Sequence, residues 1–352
     1  MFLTVLRFIC FPILYLLSFV YRLLFLLDRK RKKPQKLRNA IVISIGNFST
    51  GGTGKTPFTL HLVKLLHLVY PKIPSVILSR GYGGSKSESQ RVTLNSPSQE
   101  VGDEPLLLKQ NLPFAEVYTG KNRISSYDLY RKELQLTDDQ KVFVILDDGF
   151  QHHRIVRDLE LVLLDCTKIR TDRFLLPAGL LREPYSSVNR ADFLVASKYE
   201  DRLRNDLEEW YRKYLPKEIL KFSFIPNGFS TIGNSNQEER KPNSILHNKA
   251  VLAFSGIGNP EPFFESLRKS GALVSPIRFP DHYPYSRKDI EELSRKAKGK
   301  DFLICTEKDA VKLTPFFETK KDPRWLYLNL DTKIENESLL MSKIDSLKKM
   351  NI

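Results

Sequence analysis

The stretch Ser49-Thr50-Gly51-Gly52-Thr53-Gly54-Lys55-Thr56 constrains this chain more than any other, because its flanks dictate a local fold. Before it, Ala40-Ile41-Val42-Ile43-Ser44-Ile45 reads as a buried parallel strand. After it, Pro57 and the apolar positions Phe58, Leu62, Leu65, Leu66 and Val69 read as a helix. Pro57 is compatible with a first helical turn, where its missing N–H would have had no acceptor. A glycine loop between strand and helix aims backbone N–H groups and the positive end of the helix at an anion. In that setting the stretch reads as a phosphate loop for a nucleoside triphosphate. Lys55 then reaches the β- and γ-phosphates and Thr56 ligates magnesium, while Ser49 to Gly54 form the cradle. Ser49 departs from the pattern, standing where a glycine usually does. The plainer alternative is an ordinary glycine-rich turn.

The 352 residues suffice for two cores. A formal net charge of +15 implies an acidic partner: nucleic acid, an anionic membrane surface or a phosphorylated substrate. Cys10, Cys166 and Cys305 are scattered in apolar runs without metal or redox spacing, which points to a reduced compartment. Residues Met1 to Leu27 are nearly all apolar, with Arg7 and Arg22 the charged exceptions, and Arg29-Lys30-Arg31-Lys32-Lys33 follows. Such a segment anchors in a membrane, either as a tilted span or as an in-plane helix. Its basic flank stays cytoplasmic, on anionic headgroups. A cleaved signal peptide fits poorly, because no small-residue cleavage site follows. The membrane surface therefore accounts for the charge better than nucleic acid does, and no zinc-finger spacing or basic-aromatic stripe argues otherwise. No obligate protein partner is expected.

Strand-like runs recur at Val76–Ser79, Val142–Leu146, Leu161–Leu164 and Phe193–Ala196, with helical segments between several of them. This alternation predicts an α/β fold: a mostly parallel sheet of the phosphate-loop NTPase kind with helices on both faces. Ligands in such folds sit at the carboxyl ends of the strands. A boundary is expected near residue 225, before the polar stretch Asn227 to Asn243. A smaller α/β unit follows, with strands at Ala250–Phe254, Phe302–Cys305 and Trp325–Leu330. The expected organisation is an anchor at 1–33, a phosphate-loop domain at 34–224 and a smaller domain at 225–334. A final helix within 335–352 packs back on the first domain.

Asp147-Asp148 ends an apolar strand, where phosphate-loop enzymes place a magnesium-organising carboxylate; the alternative is a solvated turn. Gln151 in the following loop can support metal or substrate. Zinc on His152 and His153 is unlike such sites, since neighbouring histidines point apart and no thiolate joins them. Asp103, in Val101-Gly102-Asp103-Glu104-Pro105, fits a general base and a helix cap equally well by spacing alone. His282 lies in the proline-bounded loop Pro280 to Pro284, where a lone histidine is more often a structural hydrogen-bonder than a catalyst. Arg80, in Arg80-Gly81-Tyr82-Gly83-Gly84, can hold an anion. Arg182-Glu183 reads as a surface ion pair.

In order along the chain, these segments resemble the tetraacyldisaccharide 4′-kinase family, the lipid A 4′-kinases of Gram-negative bacteria. The resemblance rests on Gly46-Asn47 with Gly51 to Pro57, Ser79 to Gly83, Gly102 to Pro105 and Asp147 to His152. Leu176 to Pro184, Phe279 to Tyr283 and Thr306 to Asp309 complete it over nearly the whole chain. It implies ATP as co-substrate, magnesium as cofactor, and transfer to the 4′-hydroxyl of a tetraacylated glucosamine disaccharide 1-phosphate. It further implies attachment to the cytoplasmic face of the inner membrane. The aspartate matching Asp103 is implied as base, assisted by the histidine matching His282. Lys55 and Arg80 offset charge on the transferring group, and Asp147, Asp148, Gln151 and Glu183 place metal or substrate. His153 and a polar insert near Asn236 depart from the family's pattern. The main rival is a regulatory NTPase with a deviant phosphate loop, but its signature lysine would fall on Thr50. A GTPase would have to read guanine with Thr306-Glu307-Lys308-Asp309, which has the needed residues only in part.

Overall fold

A computed structural model describes residues 2–81, 85, 88–171, 173–214, 216–233, 240–317 and 322–350, with backbone alone for 2–10 and 350. Tyr82, Gly83 and Gly84 of the expected anion loop, and the insert near Asn236, lie outside the described residues.

Helix α1 (Phe2–Arg31) leads into β1 (Ala40–Asn47), the phosphate loop and α2 (Lys55–Val69). Next come β2 (Ser75–Ser79), β3 (Gln90–Arg91), α3 (Ser98–Val101), α4 (Asp103–Asn111), β4 (Glu116–Thr119), α5 (Arg123–Glu133) and β5 (Val142–Asp147). The first half closes with β6 (Leu159–Asp165), β7 (Phe193–Ser197), α6 (Arg204–Tyr214) and β8 (Ile219–Thr231). The second half holds β9 (Ala250–Ser255), α7 (Glu261–Lys269), β10 (Leu273–Arg278), α8 (Arg287–Lys296), β11 (Phe302–Thr306) and α9 (Glu307–Leu313). The chain returns through β12 (Trp325–Glu335) to α10 (Glu337–Met350).

Among the described residues these strands form one sheet in the order β10-β9-β11-β12-β8-β7-β6-β1-β5-β2-β4-β3. Pairing is parallel except at β8–β12 and β3–β4. Strand β1 lies between β5 and β6, so Ile45 sits opposite Asp147 and Asn47 opposite Leu163. The phosphate loop therefore leaves the sheet where the chain departs to both sides, the usual place for a ligand crevice. Alternate residues of β1 serve two cores, as a period of two requires. Ile41, Ile43 and Ile45 pack with Phe58, Leu62 and Leu66 of α2, while Val42 packs with Tyr127 and Tyr130 of α5.

Residue 225 falls inside β8, which pairs antiparallel with β12 from Lys221 to Thr231. Polarity from Asn227 onward suggested a break. The backbone instead continues because β12 supplies the partner groups that an exposed strand lacks. In the second half, Leu252 and Phe254 pack with Leu293, Leu313 and Trp325, whereas Val251 and Ala253 pack with Phe263 and Phe264. Helix α10 places Leu340 and Ile344 in the core under β1, and Tyr70 donates to Asp345 at 2.7 Å.

Helix α1 touches the body along one stripe. Ser18 Oγ donates to the Leu175 carbonyl and Tyr21 OH to the Arg182 carbonyl, both at 3.0 Å. Its outer face exposes Ile13, Leu16, Val20, Leu23 and Leu24. By length and composition, Phe11–Arg31 is sufficient to cross a membrane.

Gly46 shows how tightly the centre is assembled. A Cβ added there would lie 2.5 Å from the Phe150 nitrogen. Gly46→Ala is expected to push the Asp147–Phe150 turn off β1 at a cost of about 1–3 kcal/mol. The measurement is the urea midpoint, which should fall; an unchanged midpoint would show that the turn yields freely.

Candidate active site

The loop between β1 and α2 is held open by its own backbone and by neighbours on three sides. Gly51 and Gly54 have φ of +97° and +90°, a region that side-chain-bearing residues avoid. Asn47 Nδ2 donates to the Ser49 carbonyl at 2.6 Å and to Thr53 Oγ1 at 2.9 Å. The Thr50 amide donates to the Leu180 carbonyl at 2.9 Å. Lys198, at the end of β7, donates to the Gly52 carbonyl and to Asp165, each at 2.6 Å. With Gly54 as its left-handed cap, α2 begins at Lys55. The amides of its first turn, including Lys55 and Thr56, therefore lack helical acceptors and are free to bind an anion.

Lys55 Nζ lies 3.4 Å from Asp148 Oδ1. Asp148 has a φ of +51°, so the chain turns sharply as it leaves β5. Arg182 Nη1 donates to Asp148 Oδ2 at 2.8 Å and to Gln151 Oε1 at 3.2 Å. Burial raises the pKa of Asp148, but the charges of Lys55 and Arg182 outweigh it and hold the carboxyl well below the usual range. Asp147 is buried next to it and accepts from Ser79 Oγ at 2.9 Å. Burial, with the charges of Glu104 and Asp148, pushes Asp147 up to about 6. Two adjacent carboxylates thus differ in acidity because their burial and charge partners differ. Arg123, fully buried, donates to the Asp147 carbonyl at 2.9 Å. Arg80 ends β2 exposed, and its charge acts on Arg123.

Arg182 and Glu183, read from sequence as a surface pair, are not paired with each other. Arg182 turns to Asp148, while Glu183 is buried and receives Arg190 at 2.6 and 3.1 Å. Gln151 joins the two sides, donating to Glu183 at 3.1 Å and to the Asn47 carbonyl at 3.0 Å. Adjacent residues in this irregular segment face different partners, which no spacing rule reveals. Burial and nearby arginines keep His152 and His153 neutral, at about 3 and about 4. Among the described residues, no three or more His, Cys, Asp or Glu side chains form a metal cluster.

Asp103 begins α4, buried, and meets the second half of the chain. His282 Nδ1 lies 3.1 Å from Asp103 Oδ1. Lys312 and Lys308 stand 3.4 and 3.8 Å from Asp103 Oδ2. Lys308 also donates to Glu104 at 3.0 Å. Asp103 is not the cap of α4, a place Gly102 takes; burial would raise its pKa, but the His282 hydrogen bond and the lysine charges hold it well below the usual carboxylate range. The His282 loop has its own support. Asp309, wholly buried, accepts from Ser255, Thr306 and Tyr285 at 2.9, 2.7 and 3.1 Å. The His282 amide donates to the Gly256 carbonyl at 3.1 Å. Thr306-Glu307-Lys308-Asp309 therefore builds the wall around Asp103. Lys308 and Lys312 were missed as site residues, although their spacing of four on α9 puts them on one helix face. Asp103, His282 and Lys312 line a cavity of about 90 Å³. The charge of Glu104, next to Asp103, also acts on Asp147.

The Asp103 hydrogen bond raises the pKa of His282 above its ordinary value. The contact should add stability below His282's unfolded pKa and lose it as pH rises through the folded value. Asp103, being depressed, should lose its share only in strong acid. Accordingly, the melting-temperature gap between the unmodified protein and His282→Gln is expected to narrow from pH 6 to 9. A gap independent of pH across that range would rule out the ion pair.

The profile of the Tetraacyldisaccharide-1-P 4'-kinase family matches residues 10–348. The tetraacyldisaccharide 4'-kinase of Geobacter metallireducens is 37% identical over 291 residues, covering 80% of this chain and 80% of the relative. That of Syntrophobacter fumaroxidans is 37% identical over 318 residues, covering 86% and 79%. The crystal structure of LpxK from Aquifex aeolicus in complex with ATP superposes with a TM-score of 0.73 at 32% identity, covering 97% of this chain and 99% of that one. By the family match over residues 10–348 and the identity with these relatives, this chain belongs to the tetraacyldisaccharide 4'-kinase family.

Proposed function

We propose that this protein transfers the γ-phosphoryl group of ATP to the 4′-hydroxyl of a tetraacylated glucosamine disaccharide 1-phosphate. We place the reaction at the cytoplasmic face of the bacterial inner membrane, with α1 as the anchor. The observation that carries this reading is the buried Asp103 carboxylate, 3.1 Å from His282 and flanked by Lys312 and Lys308.

The phosphates would lie on the free amides of the loop from Ser49 to Thr56, with Lys55 and Arg80 offsetting charge on the transferring group. The residues present fit magnesium. Asp148 Oδ1 accepts no hydrogen bond and has the Lys55 ammonium 3.4 Å away, Asp147 is the preceding residue, and Thr56 is on the adjoining turn. Thr56, Asp147 and Asp148 would hold the ion, which when bound supplies neutralisation of phosphate charge. Gln151 and Glu183 orient Arg182, and through it Asp148.

Asp103 accepts a hydrogen bond from the sugar hydroxyl and takes its proton as the bond from oxygen to the γ-phosphorus forms. The bond from that phosphorus to the bridging oxygen breaks, and ADP leaves with the electron pair. His282 holds the carboxylate in register, and the two lysines keep it ionised until bonding develops. Because Asp103 and His282 come from different halves of the chain, we further propose two domains that close over the substrate, pivoting at the β8–β12 ribbon. Closure then excludes water from the reacting phosphoryl group.

The direct test is magnesium-dependent transfer of labelled γ-phosphate from ATP to the purified disaccharide 1-phosphate lipid in detergent micelles. Label should appear in the lipid and be lost with Lys55→Ala. Asp103→Ala is expected to lower kcat by roughly 10²–10⁴-fold while ATP binding changes little. Normal turnover by that variant would refute the base assignment. ATP hydrolysis without labelled lipid, from folded protein, would favour the regulatory NTPase.

A further inference from the structure

Between α1 and the segment that follows Glu183 lies a second cavity, of about 240 Å³. Arg22, Phe25 and Arg29 line it from α1, and Ser186, Ser187 and Arg190 line it from the other side. The α1 residues recur at spacings of three and four, so they share one helix face.

The three arginines are not equivalent. Arg190 is fixed: it makes two hydrogen bonds to buried Glu183, and its guanidinium lies 4.2 Å above the Phe150 ring. Arg22 and Arg29 have no carboxylate within ion-pair distance among the described residues, although Glu183 lines the same cavity. Glu183 is already taken up by Arg190 and offsets Arg29 only in part, so Arg22 and Arg29 leave the cavity lining with excess positive charge that an anion placed there would balance. Guanidinium N–H groups and hydroxyls suit the tetrahedral oxygens of a phosphate. Phe25 and Leu26 supply an apolar wall beside them. The outer face of the same helix exposes Leu16, Leu23 and Leu24, at 66%, 59% and 61%. The cavity thus opens where an apolar helix face meets the basic flank Arg29 to Lys33, the level at which lipid headgroups lie.

We propose that this cavity binds the phosphate group of a membrane lipid, gripped by Arg22 and Arg29 with the hydroxyls of Ser186 and Ser187, over Arg190 as a fixed floor. The lipid phosphate has two sources: the headgroup of a bulk phospholipid, or the phosphate on the lipid acceptor itself. The second rests on the kinase reading above. In either case the site communicates with the reacting centre, since Glu183 bonds Gln151 at 3.1 Å, Gln151 bonds Arg182 at 3.2 Å and Arg182 bonds Asp148 at 2.8 Å.

The test uses the full chain in dodecyl maltoside, with bound lipid counted by native mass spectrometry. One arm titrates phosphatidylglycerol against diacylglycerol of the same chains. The other titrates the acylated disaccharide with and without its phosphate. The variants are Arg22→Gln/Arg29→Gln and, to remove equal charge outside the cavity, Lys30→Gln/Lys33→Gln. The arginine variant should lose about tenfold or more in affinity for phosphate-bearing lipid and nothing for phosphate-free lipid, the lysine variant being unaffected. The arm in which the loss occurs names the source. Equal losses in both variants would mean diffuse attraction to the basic flank and would overturn the site, as would undiminished binding by the arginine variant. Phosphoryl transfer measured on the same preparations keeps the two readings apart. A fully active arginine variant that binds lipid normally removes the cavity and leaves the kinase. An inactive unmodified protein whose phosphatidylglycerol binding needs Arg22 and Arg29 does the reverse.

Discussion

The negative charge of Asp148 is the constraint around which the first half of this protein is arranged. A half-buried carboxylate at the end of an apolar strand is costly alone, and it is met by Lys55 from the phosphate loop and by Arg182 from an irregular segment distant in sequence. Arg182 must itself be held, which Gln151 does; Gln151 is in turn held by Glu183, and Glu183 by Arg190. One charge thus recruits a chain of partners leading from the centre of the sheet to the face covered by α1. The loop needs the same neighbours, since Thr50 is pinned by the backbone of Leu180.

The second half answers a second charge. Asp103 sits at the start of α4 on the first half, yet its partners His282, Lys308 and Lys312 all belong to the second. The loop presenting His282 is anchored by Asp309, whose oxygens gather donors from β9, from the start of α9 and from Tyr285. A carboxylate split from its counter-charges in this way makes this arrangement depend on how the halves meet. The antiparallel ribbon of β8 and β12 carries that relation, because it is where the parallel strands of the first half meet those of the second and the direction reverses.

Much of this was legible beforehand. The β-branched run of β1, the glycines and the apolar spacing of α2 name one local structure, and the structure has it. The apolar strands β5, β6 and β7 were equally plain, as was the carboxylate pair ending β5. Two edge regions were not. Strand β4 is four residues long, and β10 carries Pro276 within a mostly half-buried, non-alternating run, so neither shows a clear period. Residue 225 looked like a break because polarity marks solvent exposure, whereas strand continuity depends on a partner strand a hundred residues away.

Local chemistry along the chain determined the elements, the phosphate loop and the residue types available for catalysis, because periodicity, glycine freedom and side-chain acidity act over a few residues. It left Asp103 divided between cap and base, and it paired Arg182 with its neighbour Glu183. Only tertiary structure brought three cationic side chains to Asp103 and turned Arg182 to Asp148, since the field at a carboxylate depends on charges within a few ångströms in space. His282, Lys308 and Lys312 come that close to Asp103 across about two hundred residues of sequence because sheet order, not chain order, sets their distance.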